Sequence, residues 1–287
     1  MEQDWKQSRG SFFTAFAPPA FWLTLFFLVP LAIIWAYSFG KNISMTEVAV
    51  TGTLSNYARI ADPVYISIFV KSIVYAALTT FLCLIVGFPV ALAITFAPDK
   101  AKAWLLLLIM LPFWTNLLVR TYALMAVLRT EGYVNTVLGW IGIGPLPLLH
   151  NNFAVVLGLV YVNLPFLVLP LYSALDRLDR SLLEASLDLG AGHIRTIREI
   201  VIPLALPGIL SGLLITFIPA LGSYLTPDLL GGPDSQMIAS VIERNFKRAN
   251  DWPFGSALSF ILMYLTFFAI AAQTLVAARR RKAGGEA

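Results

Sequence analysis

The sequence predicts an all-α membrane protein with six transmembrane helices. Three observations carry that expectation. Of 287 residues, 58% are apolar and 13% are charged, with a mean hydropathy of +0.78, whereas a soluble domain holds about 25% charged residues. Six apolar runs each reach the roughly 20 residues that a helix needs to cross a hydrocarbon core about 30 Å thick. Lys and Arg gather in alternate connecting segments, the pattern that orients helices in a bilayer.

The runs are 13–39, 69–97, 103–129, 153–175, 201–222 and 255–278. The first follows Lys6 and Arg9, exceeds signal-peptide length and has no small-residue cleavage site, so it is expected as a retained span. Pro30, Pro89, Pro112, Pro165, Pro170, Pro207 and Pro219 lie within the runs. Each proline removes an N–H and favours a kink, which a packed bundle or a watery cavity tolerates. Trp22, Trp35, Trp104, Trp140 and Trp252 stand near run ends, as interfacial anchors do. Gly208 and Gly212 form one G-x-x-x-G in the fifth run, which permits close helix approach.

The organisation read from this pattern is a tail (1–12), a six-span domain (13–278) and a second tail (279–287). With the N-terminus in the cytoplasm, the inner segments 1–12, 98–102, 176–200 and 279–287 hold twelve Lys and Arg. The outer segments hold five: Lys41, Arg59, Arg244, Lys247 and Arg248. Both termini are therefore expected inside. The outer segments also carry Glu47, Asp62, Glu131, Asp228, Asp234, Glu243 and Asp251, an expected slight acidic excess.

Several function classes drop out. A net charge of +4 and a pI near 9.2 do not point to nucleic acid, because the basic residues flank apolar runs instead of forming one soluble face. Cys83 is the one cysteine, and His150 and His193 lie in different loops, so no metal-ligand spacing exists. A membrane enzyme would need an intramembrane acid pair or a Ser/His/Asp set, and neither is present. No G-x-x-x-x-G-K-[ST] occurs, so no P-loop binds ATP in this chain.

The most informative segment is the inner loop 176–200, D-R-L-D-R-S-L-L-E-A-S-L-D-L-G-A-G-H-I-R-T-I-R-E-I. Ser181 is placed as a helix cap with Glu184 as its capping-box partner. Leu182, Ala185, Ser186 and Leu189 share one face, while Arg180 and Glu184 are spaced to pair. Gly190 and Gly192 stop the helix, and a second one leads into the fifth run. A short amphipathic helix outside the membrane, with an apolar face and no partner in its own chain, implies docking on another subunit.

This loop resembles the EAA motif of ABC-importer permeases. That pattern is E-A-A, three residues, Gly, nine residues, then I-x-L-P. Glu184, Ala185, Ser186, Gly190, Ile200, Ile202 and Pro203 fill it, with Ser186 for Ala and Ile202 for Leu. The stretches 111–122, 170–179, 202–209, 228–232 and 251–255 look like the spermidine/putrescine permease branch, and the first permease of such pairs is the closer match. The resemblance implies a type I ABC importer permease fold in the bacterial inner membrane. It implies two ATPase subunits holding ATP and Mg, a second permease and a periplasmic substrate-binding protein as partners, with no cofactor in this chain. The seven residues of the pattern are the implied ATPase-coupling set.

No carboxylate lies inside the six runs. Candidate pathway contacts for a polycation are therefore Trp114, Asn116, Tyr122, Tyr161, Asn163, Tyr224 and the outer Asp228, since aromatic faces attract ammonium groups. Helix packing or interface anchoring is the plainer role for each of the span residues, and a solvated loop charge for Asp228. Arg120 opposes a cation path unless it pairs with an outer acid such as Glu131, or snorkels away. Two other assignments share part of the pattern: the same machine carrying an aminophosphonate or a metal ion, and a secondary transporter or channel. The second leaves the 184–203 pattern unexplained.

Overall fold

The computed structural model describes residues 9–44 and 47–284, so the Lys6 part of the charge reading lies outside the described residues. Helices dominate. The first run forms α1 (Arg9–Leu23), a π-helical turn (Thr24–Leu28) and α2 (Val29–Ser38). A small hairpin of β1 (Gly40–Asn42) and β2 (Val48–Val50) follows, then α3 (Ser55–Ile60). The long α4 (Pro63–Phe96) starts six residues before the expected run, with Pro63 at its first position, where the missing N–H costs nothing. Then come α5 (Asp99–Met110), α6 (Leu117–Leu128), α7 (Tyr133–Trp140), α8 (Asn152–Leu175), α9 (Arg180–Asp188) and α10 (His193–Thr196). A π-helical turn (Ile197–Val201) joins α10 to α11 (Ile202–Leu221), and α12 (Leu225–Leu230), α13 (Ile238–Lys247) and α14 (Trp252–Gly284) follow.

Among the described residues, five helices are long and apolar enough to cross a membrane, and a bent pair makes a sixth when its two arms are counted as one span. The run expected at 103–129 is not one helix. Its two arms, Asp99–Trp114 and Leu117–Trp140, meet at 94°. The cause is local. Pro112 sits in a 3-10 turn (Leu111–Trp114), and Thr115 is extended at φ −82°, ψ 149°. Asn116 then caps α6, its side-chain oxygen accepting from the Leu118 N–H at 2.8 Å. A proline removes a helical donor and an asparagine supplies a new cap, so one apolar run becomes two helices.

The chain divides into two compact units. The first comprises 1–62 and 242–264, the second 63–241 and 265–287. In the first, Asn56 donates to the Ser38 and Gly40 carbonyls at 3.0 and 2.9 Å, fixing the start of the hairpin. Arg59 pairs with Asp251 at 2.8 Å, and its guanidinium carbon lies 3.9 Å from the Phe254 ring centroid.

The second unit is built on α4, α8 and α11, which pack against one another. Its main core joins Cys83, Ala91 and Ile94 of α4 to Leu167, Val168, Leu171 and Leu175 of α8 and to Ala205 and Ile209 of α11. Small residues set the crossing of α8 and α11. A Cβ added at Gly208 would strike the Ala174 Cβ, and one at Gly212 would come within 3.4 Å of the Leu167 carbonyl. The G-x-x-x-G is thus used as a close crossing. In α4, Thr80 and Thr95 return their hydroxyls to carbonyls one turn back, at 2.7 and 2.9 Å. That satisfies a polar group where no water competes.

Candidate coupling loop and pathway residues

The loop between α8 and α11 folds as two short helices joined at a glycine. Asp179, not Ser181, caps α9: its carboxylate accepts from the Ser181 N–H at 3.0 Å. Asp179 is the earlier residue with extended backbone, which a cap requires. That hydrogen bond holds the Asp179 carboxyl below its ordinary value. The expected Arg180–Glu184 pair does not form. Arg180 reaches instead to the Thr95 carbonyl at the end of α4, at 3.4 Å, and Glu184 stays exposed.

Helix α9 ends in a full left-handed cap. Gly190 has φ +83°, the Ala191 N–H donates to the Ser186 carbonyl at 3.1 Å, and the Gly190 N–H to the Leu187 carbonyl at 2.9 Å. A residue with a Cβ is strained there. Gly192 then stands at the N-cap of α10.

The apolar residues of α9 divide between two faces. Leu183 packs on the main core and Ser186 is buried against Thr196, hydroxyl to hydroxyl at 3.0 Å. Leu182, Ala185, Leu187 and Leu189 point outward, and Leu189 and Ile194 are 89% and 84% exposed. Of the sequence-derived face, Ser186 belongs to the inner side and the other three form an uncovered apolar surface. Beyond the glycine, Ile200 is half-buried, while Ile202 and Pro203 begin α11 with exposed side chains.

Two contacts that periodicity does not suggest secure this loop. Lys102 of α5 pairs with Asp176 at 2.9 Å, and Arg180 reaches Thr95. They join residues more than seventy positions apart, so no local spacing signals them.

The candidate pathway residues occupy diverse environments. Trp114, Asn116, Tyr122, Tyr161, Tyr224 and Asp228 are exposed, Trp114 at 73%. Asn163 is 3% exposed and donates to the Leu159 carbonyl at 2.8 Å, so its amide serves its own helix. Asp228 stands in the first turn of α12, a favourable position for a negative charge. Arg120 does not pair with Glu131. It is buried, its Nε has no acceptor, and its guanidinium carbon lies 5.8 Å from the Phe113 ring centroid.

Lys71, inside α4, donates to the Asp234 carbonyl at 2.6 Å, and Arg129 is the C-cap of α6. Asp251 and Glu243 are moreover paired, with Arg59 and Lys247.

A family model described as "Binding-protein-dependent transport system inner membrane component" matches residues 63–282. The chain belongs to this family. Among its relatives, the spermidine/putrescine transport system permease protein PotB of Escherichia coli (strain K12) is 42% identical over 243 residues, 84% of this chain and 88% of that one. PotB of Haemophilus influenzae is 38% identical over 252 residues, 86% of this chain and 88% of that one. In fold, the chain resembles a chain of a bacterial ABC transporter that imports the acidic polysaccharide alginate: TM-score 0.77, 15% identity, 97% of this chain and 96% of that chain covered. The protein is thus a multi-pass inner-membrane permease component with the type I ABC importer permease fold. The family match takes in the break before α6 and the whole α9–α10 loop, and begins at the first residue of α4.

Proposed function

We propose that this chain is one of two permease subunits of an ATP-driven polyamine importer and forms half of its translocation pathway for putrescine or spermidine. The observation that carries the cargo assignment is the 42% identity to spermidine/putrescine permeases over 84% of the chain. The geometry of the loop supports the machine: α9 keeps Leu182, Ala185, Leu187 and Leu189 uncovered on a rigid, glycine-capped helix. An apolar face of that kind seats in a groove of a partner.

In this reading two ATPase subunits hold ATP and Mg, and this chain carries no catalytic residue. Glu184, Ala185, Ser186, Gly190, Ile200, Ile202 and Pro203 form the coupling segment. Movement imposed on α9 passes to α10, and so to α11, through Ser186–Thr196 and to α4 through Arg180–Thr95, while Asp176–Lys102 ties the end of α8 to α5. Both termini and the Gly190 loop face the cytoplasm, as the basic residues of the inner segments favour. A periplasmic binding protein delivers the cargo on the opposite side. Aromatic and amide groups, Trp114, Asn116, Tyr122, Tyr161 and Tyr224, offer weak contacts that suit passage. The slight acidic excess of the outer segments attracts cations to the mouth, and selectivity falls mainly to the binding protein.

The test is uptake of radiolabelled putrescine and spermidine by cells stripped of their own polyamine importers, with and without this chain and its partner subunits. ATP-dependent uptake of either polyamine that requires this chain is expected. Uptake of an anion such as sulfate with both polyamines ignored would overturn the cargo assignment and leave the importer.

A further inference from the structure

The third span contains a charge that the described residues do not pair and a break that they leave exposed. Three contacts fix their depth. Leu128 packs with Ala154, the Leu124 side chain reaches the Gly158 position, and the Phe113 and Phe166 rings meet edge-on at 5.2 Å between centroids. Helix α6 therefore runs antiparallel to α8, and the break at Thr115–Asn116 lies level with Asn163–Phe166, near the middle of α8.

At that depth Trp114, Thr115 and Asn116 are exposed. Non-helical backbone inside a bilayer is tolerated only where protein or a watery cavity covers it, so this face does not look onto lipid. One turn further, Arg120 is 9% exposed and forms no ion pair among the described residues, and its Nε is buried without an acceptor. It also stands in the first turn of α6, where the helix dipole adds positive potential and makes an uncompensated cation worse. A buried charge in a membrane span needs a counter-charge. The six apolar runs of this chain hold no carboxylate, and Glu131 does not pair with it.

We infer that a carboxylate from a span of the second permease subunit pairs with Arg120 and covers the break at Thr115–Asn116. The inference rests on reading the chain as one of two permeases. The same pairing removes the conflict with a cationic cargo: a bare guanidinium at mid-depth repels an ammonium group, whereas a neutralised pair does not. It also makes the interface specific, because an unmatched second permease leaves the charge exposed to an apolar surface.

The experiment uses the assembled transporter. In the Arg120→Glu background, each Asp and Glu in the spans of the second permease is changed in turn to Arg. Arg120→Glu should lower uptake about tenfold or more, and one reversal should restore most of it, as expected for a coupled pair. Separately, with Arg120 intact, Thr115→Cys is paired with cysteines placed along the spans of the second permease and oxidised. A cross-link within one helical turn of the restoring acid is expected. Parental uptake by Arg120→Glu would overturn the inference, as would rescue by no reversal, or a Thr115→Cys that cross-links nowhere. The cross-link reads the interface even if Arg120→Glu fails to assemble. Polyamine uptake by the unmodified transporter tests the cargo reading independently.

Discussion

The Ser186 hydroxyl lies 3.0 Å from the Thr196 hydroxyl, and this contact is buried between the two arms of the Gly190 loop. It makes α9 and the start of the fifth span a single mechanical piece. Thr196 also donates to the Gly192 carbonyl at 3.3 Å, so it keeps a partner when Ser186 is lost. Ser186→Ala should therefore cost only about 1 kcal/mol, a single hydrogen bond, and preserve transport. Ser186→Leu overfills a buried site and should lower both assembly and transport. Thermal melting of the purified complex and uptake in the same preparation check both.

Gly190 isolates a conformational requirement. Nothing lies within 4 Å of a Cβ built there, yet φ is +83°. A side chain meets no collision, only backbone strain of about 1–2 kcal/mol. Gly190→Val should uncouple ATP hydrolysis from transport more severely than Gly190→Asn, since asparagine tolerates the left-handed region. Equal loss in both variants, read as substrate-stimulated ATPase activity, would contradict this account.

Gly208 tests the crossing of α8 and α11. Gly208→Ala brings two Cβ atoms into collision at Ala174, and overpacking of this kind costs about 1–3 kcal/mol. Ala174→Gly should recover much of that loss. A double-mutant cycle on thermal stability in detergent measures the coupling.

Asp179 gives the loop a pH dependence of known sign. The Ser181 N–H stabilises the ionised carboxylate, so its folded pKa lies below the ordinary carboxylate value. The cap contributes fully above the unfolded pKa and is lost as pH falls through the folded one. Amide exchange in α9 should accelerate below about pH 4, and Asp179→Asn should blunt that dependence while keeping a cap.

Topology follows from the basic segments. Reporter fusions after Leu149 and after Pro233 should report outside, and one after Asp179 inside. A fusion after Asp179 that reports outside would refute the orientation.

The sequence carried the spans, because a 20-residue apolar run has one stable form in lipid, and it carried Gly190, because a Gly after an amphipathic helix has a specific backbone use. It marked Pro112 as a kink but kept 103–129 as one span helix: apolar character continues through Pro112 and Asn116, and only their chemistry breaks the helix in two. It placed the α9 cap two residues late, since Asp179 and Ser181 are both good caps and the backbone angle at Asp179 decides. The Arg180–Thr95 and Lys102–Asp176 contacts are set by helix packing across long separations.

The central claim, that this chain couples ATP hydrolysis to polyamine passage, is most directly tested by reconstitution. The complete transporter is placed in proteoliposomes with ATP on the ATPase side and the polyamine-loaded binding protein on the other. The account predicts accumulation of labelled putrescine or spermidine together with stimulated ATP hydrolysis, both lost in Glu184→Lys although the complex still assembles. Accumulation without ATPase subunits, or full coupling in Glu184→Lys, would contradict it.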